Sequence, residues 1–234
     1  LLGLGEMSDD VLLALMRDIC GQPVDDDGLD FDPDSVQLSA IRVDDAYGGR
    51  RVSLVGRLGS GRIKVQVDVG IGDATVPEPE WLDLPTLLDA PPPHLRAYRP
   101  ETVVAEKLHA IVHLGLANTR LKDFYDLVAL ARTHSFQAET LTSAIEATFD
   151  RRRTMLPNAT PPGLTAGFAT EDRRRQWAAF LTRSDLREAP EFVVALAEIQ
   201  SFLGPLTWGR SAGPEPSVWV PGDGWRGGKE GKAP

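Results

Sequence analysis

The feature that most limits the fold is a change of period along the chain. In the strand-like segment that ends at Val69 apolar residues recur at every second position; after Pro100 they recur every three to four; a proline-rich passage from Pro77 through Pro91-Pro92-Pro93 to Pro100 separates the two. Alternation places successive side chains on opposite faces of a strand, whereas a 3.6-residue period draws one stripe along a helix. Prolines at this density stop regular elements. The chain is therefore expected to be α+β, with a mixed or antiparallel sheet domain over 1–98 and a helical bundle over 99–205. The Gly/Pro-rich stretch 206–234 is expected to be a largely disordered tail, with Trp219 and Trp225 as residues that could dock back on the bundle.

Within the first domain, Ser8 followed by Asp9 and Asp10 reads as an N-cap and an acidic first turn. Val11, Leu12, Leu15 and Ile19 supply the apolar face, and Gly21-Gln22-Pro23 ends the helix. The acidic run 25–34 does not fit a calcium-binding EF-hand. Counted from Asp30, the sixth position is Ser35 where glycine is needed, and the twelfth is Ile41 where glutamate is needed. It reads as a solvated loop. Segments 36–43, 51–58 and 62–69 read as strands of an antiparallel meander, joined at Tyr47-Gly48-Gly49 and Gly59-Ser60-Gly61. In the third, Ile63, Val65, Val67 and Val69 share one face and Lys64, Gln66 and Asp68 the other, so Asp68 stands on a polar face near a strand end. Helices are expected over 101–116, 121–132, 138–152, 173–182 and 191–202, with Pro100 at a first helical position that needs no amide.

Composition removes several function classes. A hydrophobic fraction of 42% and a charged fraction of 25% are ordinary for a globular protein, and no apolar run reaches the roughly 18 residues of a membrane span. No membrane role is expected. The single cysteine, Cys20, excludes an internal disulfide and a multi-thiolate zinc site, so a reducing cytoplasm is the compartment that fits. With no basic neighbour to lower its pKa, Cys20 reads as a small core hydrophobe. Residues 1–80 hold 16 acids and 7 bases and account for the whole net charge of -9. Stretch 145–187 is locally basic, with runs Arg151-Arg152-Arg153 and Arg173-Arg174-Arg175. A global grip on nucleic acid is disfavoured and a local contact remains open, the alternative being solvated helix ends.

Charge interrupts the apolar stripe on two neighbouring helices. Taking Val103 as origin and about 100° per residue, Leu114 falls at about 20°, Ile111 at about 80° and Leu108 at about 140°, with Lys107 among them at about 40°. On the next helix Asp123 falls among Leu130, Leu127 and Phe124. An inward charge is costly unless paired or met by a ligand of opposite sign. One reading is a salt bridge across a helical hairpin, or a snorkelling Lys107. The other is a site in which Asp68, Lys107 and Asp123 manage the phosphates of a nucleotide, lysine as a compact cation and aspartate as a proton or metal partner.

Other chemistries lack their motifs. His109 and His113 are spaced i, i+4, but Ala110 stands where a zincin needs glutamate, so both read as solvated helix positions. No glycine-rich phosphate loop and no Gly-x-Ser-x-Gly elbow is present.

Ala105-Glu106-Lys107-Leu108, followed by Arg120-Leu121-Lys122-Asp123-Phe124-Tyr125-Asp126-Leu127, resembles the signature of AbiEii/AbiGii-type nucleotidyltransferase toxins. The strand Val65-Gln66-Val67-Asp68-Val69-Gly70-Ile71-Gly72-Asp73 is similar to the one that ends in the family's third carboxylate. The resemblance implies a DNA polymerase β-like fold and magnesium-dependent transfer of a nucleoside monophosphate from an NTP, within a bacterial toxin-antitoxin or phage-defence (abortive infection) system. It assigns Asp68 to the metal site, Lys107 to the triphosphate and Asp123 to completion of the site. Arg120, Lys122 and Asp126 would contact phosphate or position the helix, and Asp73 is either part of the strand motif or a loop cap. A cognate antitoxin and an RNA acceptor, such as a tRNA, are implied partners; Arg151 to Arg153 and Arg173 to Arg175 would be the contact with RNA.

The family also carries Gly-Ser and Asp-x-Asp motifs ahead of this region, the latter just before a Leu-Leu-Gly-like stretch. Here Leu1-Leu2-Gly3 comes first, so those motifs have no matching positions and the sequence reads as truncated. On that reading the chain alone is expected to be inactive. The alternative is a non-catalytic relative that binds or regulates, and a third is transfer to a small molecule such as an aminoglycoside.

Overall fold

Ser8 and the two acids after it do start a helix. In the computed structural model, which describes residues 2–3, 8–24, 26–41, 49–71, 75–87, 89, 91–186, 188–209 and 216–227, α1 spans Asp9–Cys20. Ser8 Oγ accepts the Val11 N–H at 3.3 Å, and Asp9 and Asp10 occupy the first turn, where carboxylates favour the exposed amides. Leu12 and Met16 are the residues α1 buries, whereas Val11, Leu15 and Ile19 of the expected apolar face are exposed. The described residues fall into two units, Leu1–Asp73 and Ala74–Pro234.

In the first unit the strand order is β1 (Leu2–Gly3), β4 (Gly61–Ile71), β3 (Arg50–Leu58), β2 (Leu29–Ala40). The last three form the expected meander, and β1 adds a parallel edge on Gly70 and Ile71. Val36, Val52, Leu54 and Val69 meet Leu12 and Met16 in a small core, with Leu13, Cys20, Val65 and Val67 against it. Burial raises the Cys20 thiol pKa, and Asp32 adds to it, which fits a packing residue.

The acidic run differs from expectation, since 29–34 belongs to β2. The strand is irregular between Asp32 and Gln37, around Pro33. Ser35 Oγ bridges the break, donating to Asp32 O at 2.6 Å and accepting from Val55 N–H at 2.8 Å. Alternation is masked there because a bulge shifts the side-chain phase. Tyr47 and Gly48 of the first expected turn, and Asp73, lie outside the described residues.

The second unit begins ahead of the expected boundary at 98/99. Its hairpin β5 (Glu80–Asp83) and β6 (His94–Ala97) is exposed almost throughout and carries Trp81 stacked on His94, centroids 4.9 Å apart. Two contacts tie this segment to residues 99–102: Thr102 Oγ1 donates to Val76 O at 3.0 Å, and Arg99 Nε lies 4.0 Å from Glu80 Oε2.

Helices α2 (Pro100–Leu114), α3 (Leu121–Thr133), α4 (Ala138–Arg151), α5 (Glu171–Arg183) and α6 (Phe192–Leu203) match the expected ones closely. Leu108, Ile111, Phe124, Leu127, Leu141, Phe149, Leu196 and Phe202 fill one core. Trp177 of α5 is buried, and its indole N–H donates to Pro190 O at 2.9 Å.

The expectation of a largely disordered tail needs correction for 216–227. β7 (Phe136–Gln137) pairs with β8 (Pro216–Val220), which pairs with β9 (Gly224–Gly227). Trp219 is buried and its indole donates to Ala131 O, while that of Trp225 donates to Phe202 O, each at 2.7 Å. Two indoles with satisfied N–H groups bury enough apolar surface to order a Gly-rich hairpin.

Candidate functional site

Helix α2 ends at Gly115, a 3₁₀ turn covers Gly115–Ala117, and α3 starts at Leu121. The turn is held by Asn118, fully buried, whose Oδ1 accepts the Arg120 N–H at 2.8 Å. This local bond sets where the first turn of α3 lies against α2. Lys107, two turns before the end of α2, thereby faces Asp123 and Asp126.

Lys107 Nζ lies 3.3 Å from Asp123 Oδ1 and 2.6 Å from Asp126 Oδ2. Arg120 Nε is 2.7 Å from Asp123 Oδ2, an ion-pair contact not aligned as a hydrogen bond, and its Nη2 donates to Oδ1 at 3.4 Å. Lys122 Nζ stands 3.8 Å from Asp126 Oδ2. Three cations therefore alternate with two carboxylates and leave one surplus positive charge. The side chain of Asp123 is 4% exposed and that of Lys107 17%, so the centre of this chain is shielded from water while Arg120 and Lys122 reach solvent. The salt bridge and the inward charges of the sequence reading are thus one arrangement.

A pocket of about 380 Å³ opens on the cluster, lined by Lys107, Arg120, Lys122, Asp123, Phe180 and Arg183. Four cations against one lining carboxylate suit an anion carrying several charges. A larger cavity of about 590 Å³ beside Tyr125 and Arg132 suits one less, since Asp185 and Glu188 line it and Glu198 engages Arg132 at 2.6 Å. Phe180 and Arg183 are residues the sequence reading missed. A basic residue in a last helical turn ordinarily complements the helix dipole, so Arg183 carried no distinguishing signal.

The other expected site residues are placed differently. Asp68 sits on the polar face of β4, opposite Arg51 of β3 in register, and accepts from Arg51 Nε at 2.7 Å and Nη2 at 2.8 Å. The guanidinium lowers the Asp68 pKa. Arg173 donates to Leu116 O at 3.1 Å and stacks over Phe168, and Arg175 pairs with Glu171 and Asp172. Arg151, Arg153 and Arg174 are exposed.

Arg152 is half-buried 3.3 Å from His109 Nδ1, and this corrects the solvated reading of that histidine. His109 is 5% exposed, packed on Phe149 and stacked with the exposed His113. Burial, then Arg152 and His113, push its pKa down to about 4. The neutral ring accepts from Arg152 at Nδ1 and donates from Nε2 to Thr154 Oγ1 at 2.9 Å, which assigns the tautomer.

Among the described residues no three His, Cys, Asp or Glu side chains come together as a metal site, and no helix is long and apolar enough to cross a membrane. Fold and site together define an α+β protein with a cation-lined pocket on a helical hairpin. The chain belongs to the nucleotidyl transferase AbiEii toxin family of type IV toxin-antitoxin systems, which matches residues 5–198. No curated protein and no solved structure matches it.

Proposed function

We propose that the pocket on α2 and α3 binds the triphosphate of an NTP, and that the chain serves transfer of the nucleoside monophosphate to an acceptor hydroxyl, an RNA such as a tRNA end being the acceptor class we favour. The observation that carries this reading is Lys107 held between Asp123 and Asp126 in the lining of a pocket with surplus positive charge. In the reaction the acceptor oxygen bonds to the α-phosphorus, the bond from that phosphorus to the bridging oxygen breaks, and pyrophosphate leaves; the hydroxyl proton passes to solvent or base. Lys107 and Arg120 would balance charge on the phosphates, a contribution greatest where water is excluded. Asp123 and Asp126 act as positioning residues that aim the ammonium. Lys122 adds a third, exposed cation, and the exposed Arg151, Arg153 and Arg174 are the candidates for RNA phosphate contact.

The family implies a divalent metal, magnesium by resemblance, and a cognate antitoxin. Asp68 would be a metal ligand by that analogy, but Arg51 occupies both its oxygens, and the described residues gather no three-ligand group. The same pocket favours a second reading, a non-catalytic relative that binds nucleotide and regulates.

Incubating the chain with α-labelled NTPs, magnesium and total RNA tests both. Label reaching RNA, and lost in Lys107→Ala, supports transfer; nucleotide binding without label supports the second reading; neither binding nor label contradicts both.

A further inference from the structure

Lys107, Arg120 and Lys122 each lie against Asp123 or Asp126, so each has a carboxylate counter-charge within the protein. Arg183 does not. It stands in the last turn of α5, exposed, lines the same pocket, and has no carboxylate partner among the described residues. The acids of its own helix, Glu171 and Asp172, lie at the opposite end and pair with Arg175. Phe180, nearly one turn before Arg183, packs edge-on against Tyr125 of α3 and beside Trp177. That contact fixes the end of α5 against α3, so Arg183 is carried to the pocket by an anchored helix.

We propose that Arg183 is a phosphate-contacting residue for the polyphosphate of an NTP, acting with Lys107 from a separate part of the chain. The inference rests on the pocket being the nucleotide site. A guanidinium presents two parallel N–H groups that match two phosphate oxygens, and one without an internal counter-charge does not have to leave a carboxylate to bind. An ammonium at the same position supplies charge without the fork.

Titration calorimetry with tripolyphosphate, and separately with an NTP, tests this on the whole chain as wild type, Arg183→Ala, Arg183→Lys, Arg96→Ala and Lys107→Ala. Thermal melts confirm that each is folded. Arg183→Ala is expected to weaken both ligands about tenfold, as loss of a charge-assisted pair does. Arg183→Lys should restore part of the loss, and Arg96→Ala, an exposed arginine on β6 outside the pocket lining, should change little. Equal losses in Arg183→Ala and Arg96→Ala would reduce Arg183 to a distant charge and overturn the proposal, as would no loss. Binding lost in Lys107→Ala but kept in Arg183→Ala leaves the pocket reading standing and removes only this inference; no binding by wild type removes both.

Discussion

Asp68 and Asp123 are both aspartates paired with arginine, and they sit in opposite surroundings. Asp68 and Arg51 meet on the open face of a sheet with side chains 51% and 43% exposed, whereas the Asp123 side chain is 4% exposed between Lys107 and Arg120. Water screens the first pair and competes for both partners, so good bidentate geometry contributes little to stability. The second aspartate has lost its water, and its cations are the replacement. Removing one partner there strands charge in a poorly solvated place. Ion-pair distance alone does not distinguish the two; burial does.

The largest expected effect is at the buried end. Asp123→Ala should destabilise the chain by about 3 kcal/mol, because Lys107 and Arg120 lose a shared anion, and a urea titration would show it as a lower midpoint at unchanged slope. A loss no greater than that of an exposed pair would break the comparison.

A buried group without an anion illustrates the same rule through pH. His109 has its folded pKa lowered to about 4 from 6.5, so the unfolded chain binds the proton first as pH falls. The stabilisation is whole above about pH 6.5 and is lost as pH drops towards 4, by about 2–3 kcal/mol. Unfolding free energies measured across that window should show this slope, and His109→Gln should flatten it; an unchanged slope would assign it to other groups.

The smallest effect belongs to the exposed pair. The pKa of Asp68 is lowered, so its contribution is present above the ordinary carboxylate range and disappears as pH falls through the lowered value. Asp68→Asn should shift the urea midpoint several-fold less than Asp123→Ala, and added salt should erase the difference from wild type. A shift rivalling that of Asp123→Ala would mean that Asp68 has a role beyond the sheet face.

The helices, and the two charges that interrupt their stripes, were legible because Lys107 and Asp123 break a 3.6-residue pattern that is otherwise regular, and Pro100 marks its start. What escaped depends on contacts distant in sequence. The Arg51 partner of Asp68 comes from strand register, which alternation alone does not supply. β5 and β6 are four residues each and exposed, so they show no buried alternation. His109 lies away from the centre of the α2 stripe and is buried because Phe149 of α4 covers that flank. Trp219 orders a Gly-rich segment through Ala131, far back in the chain. Arg183 lines the pocket from α5, whose Phe180 packs on Tyr125 of α3.

In the proposed function the cation-lined pocket on α2 and α3 holds a triphosphate through Lys107. Calorimetric titration of each NTP into the chain and into Lys107→Ala tests it most directly. Saturable binding by the first, weakened at least about tenfold in the second, is the expected result, the usual scale for a charge-assisted phosphate contact; equal binding by both, or none by the wild type, would rule this role of Lys107 out.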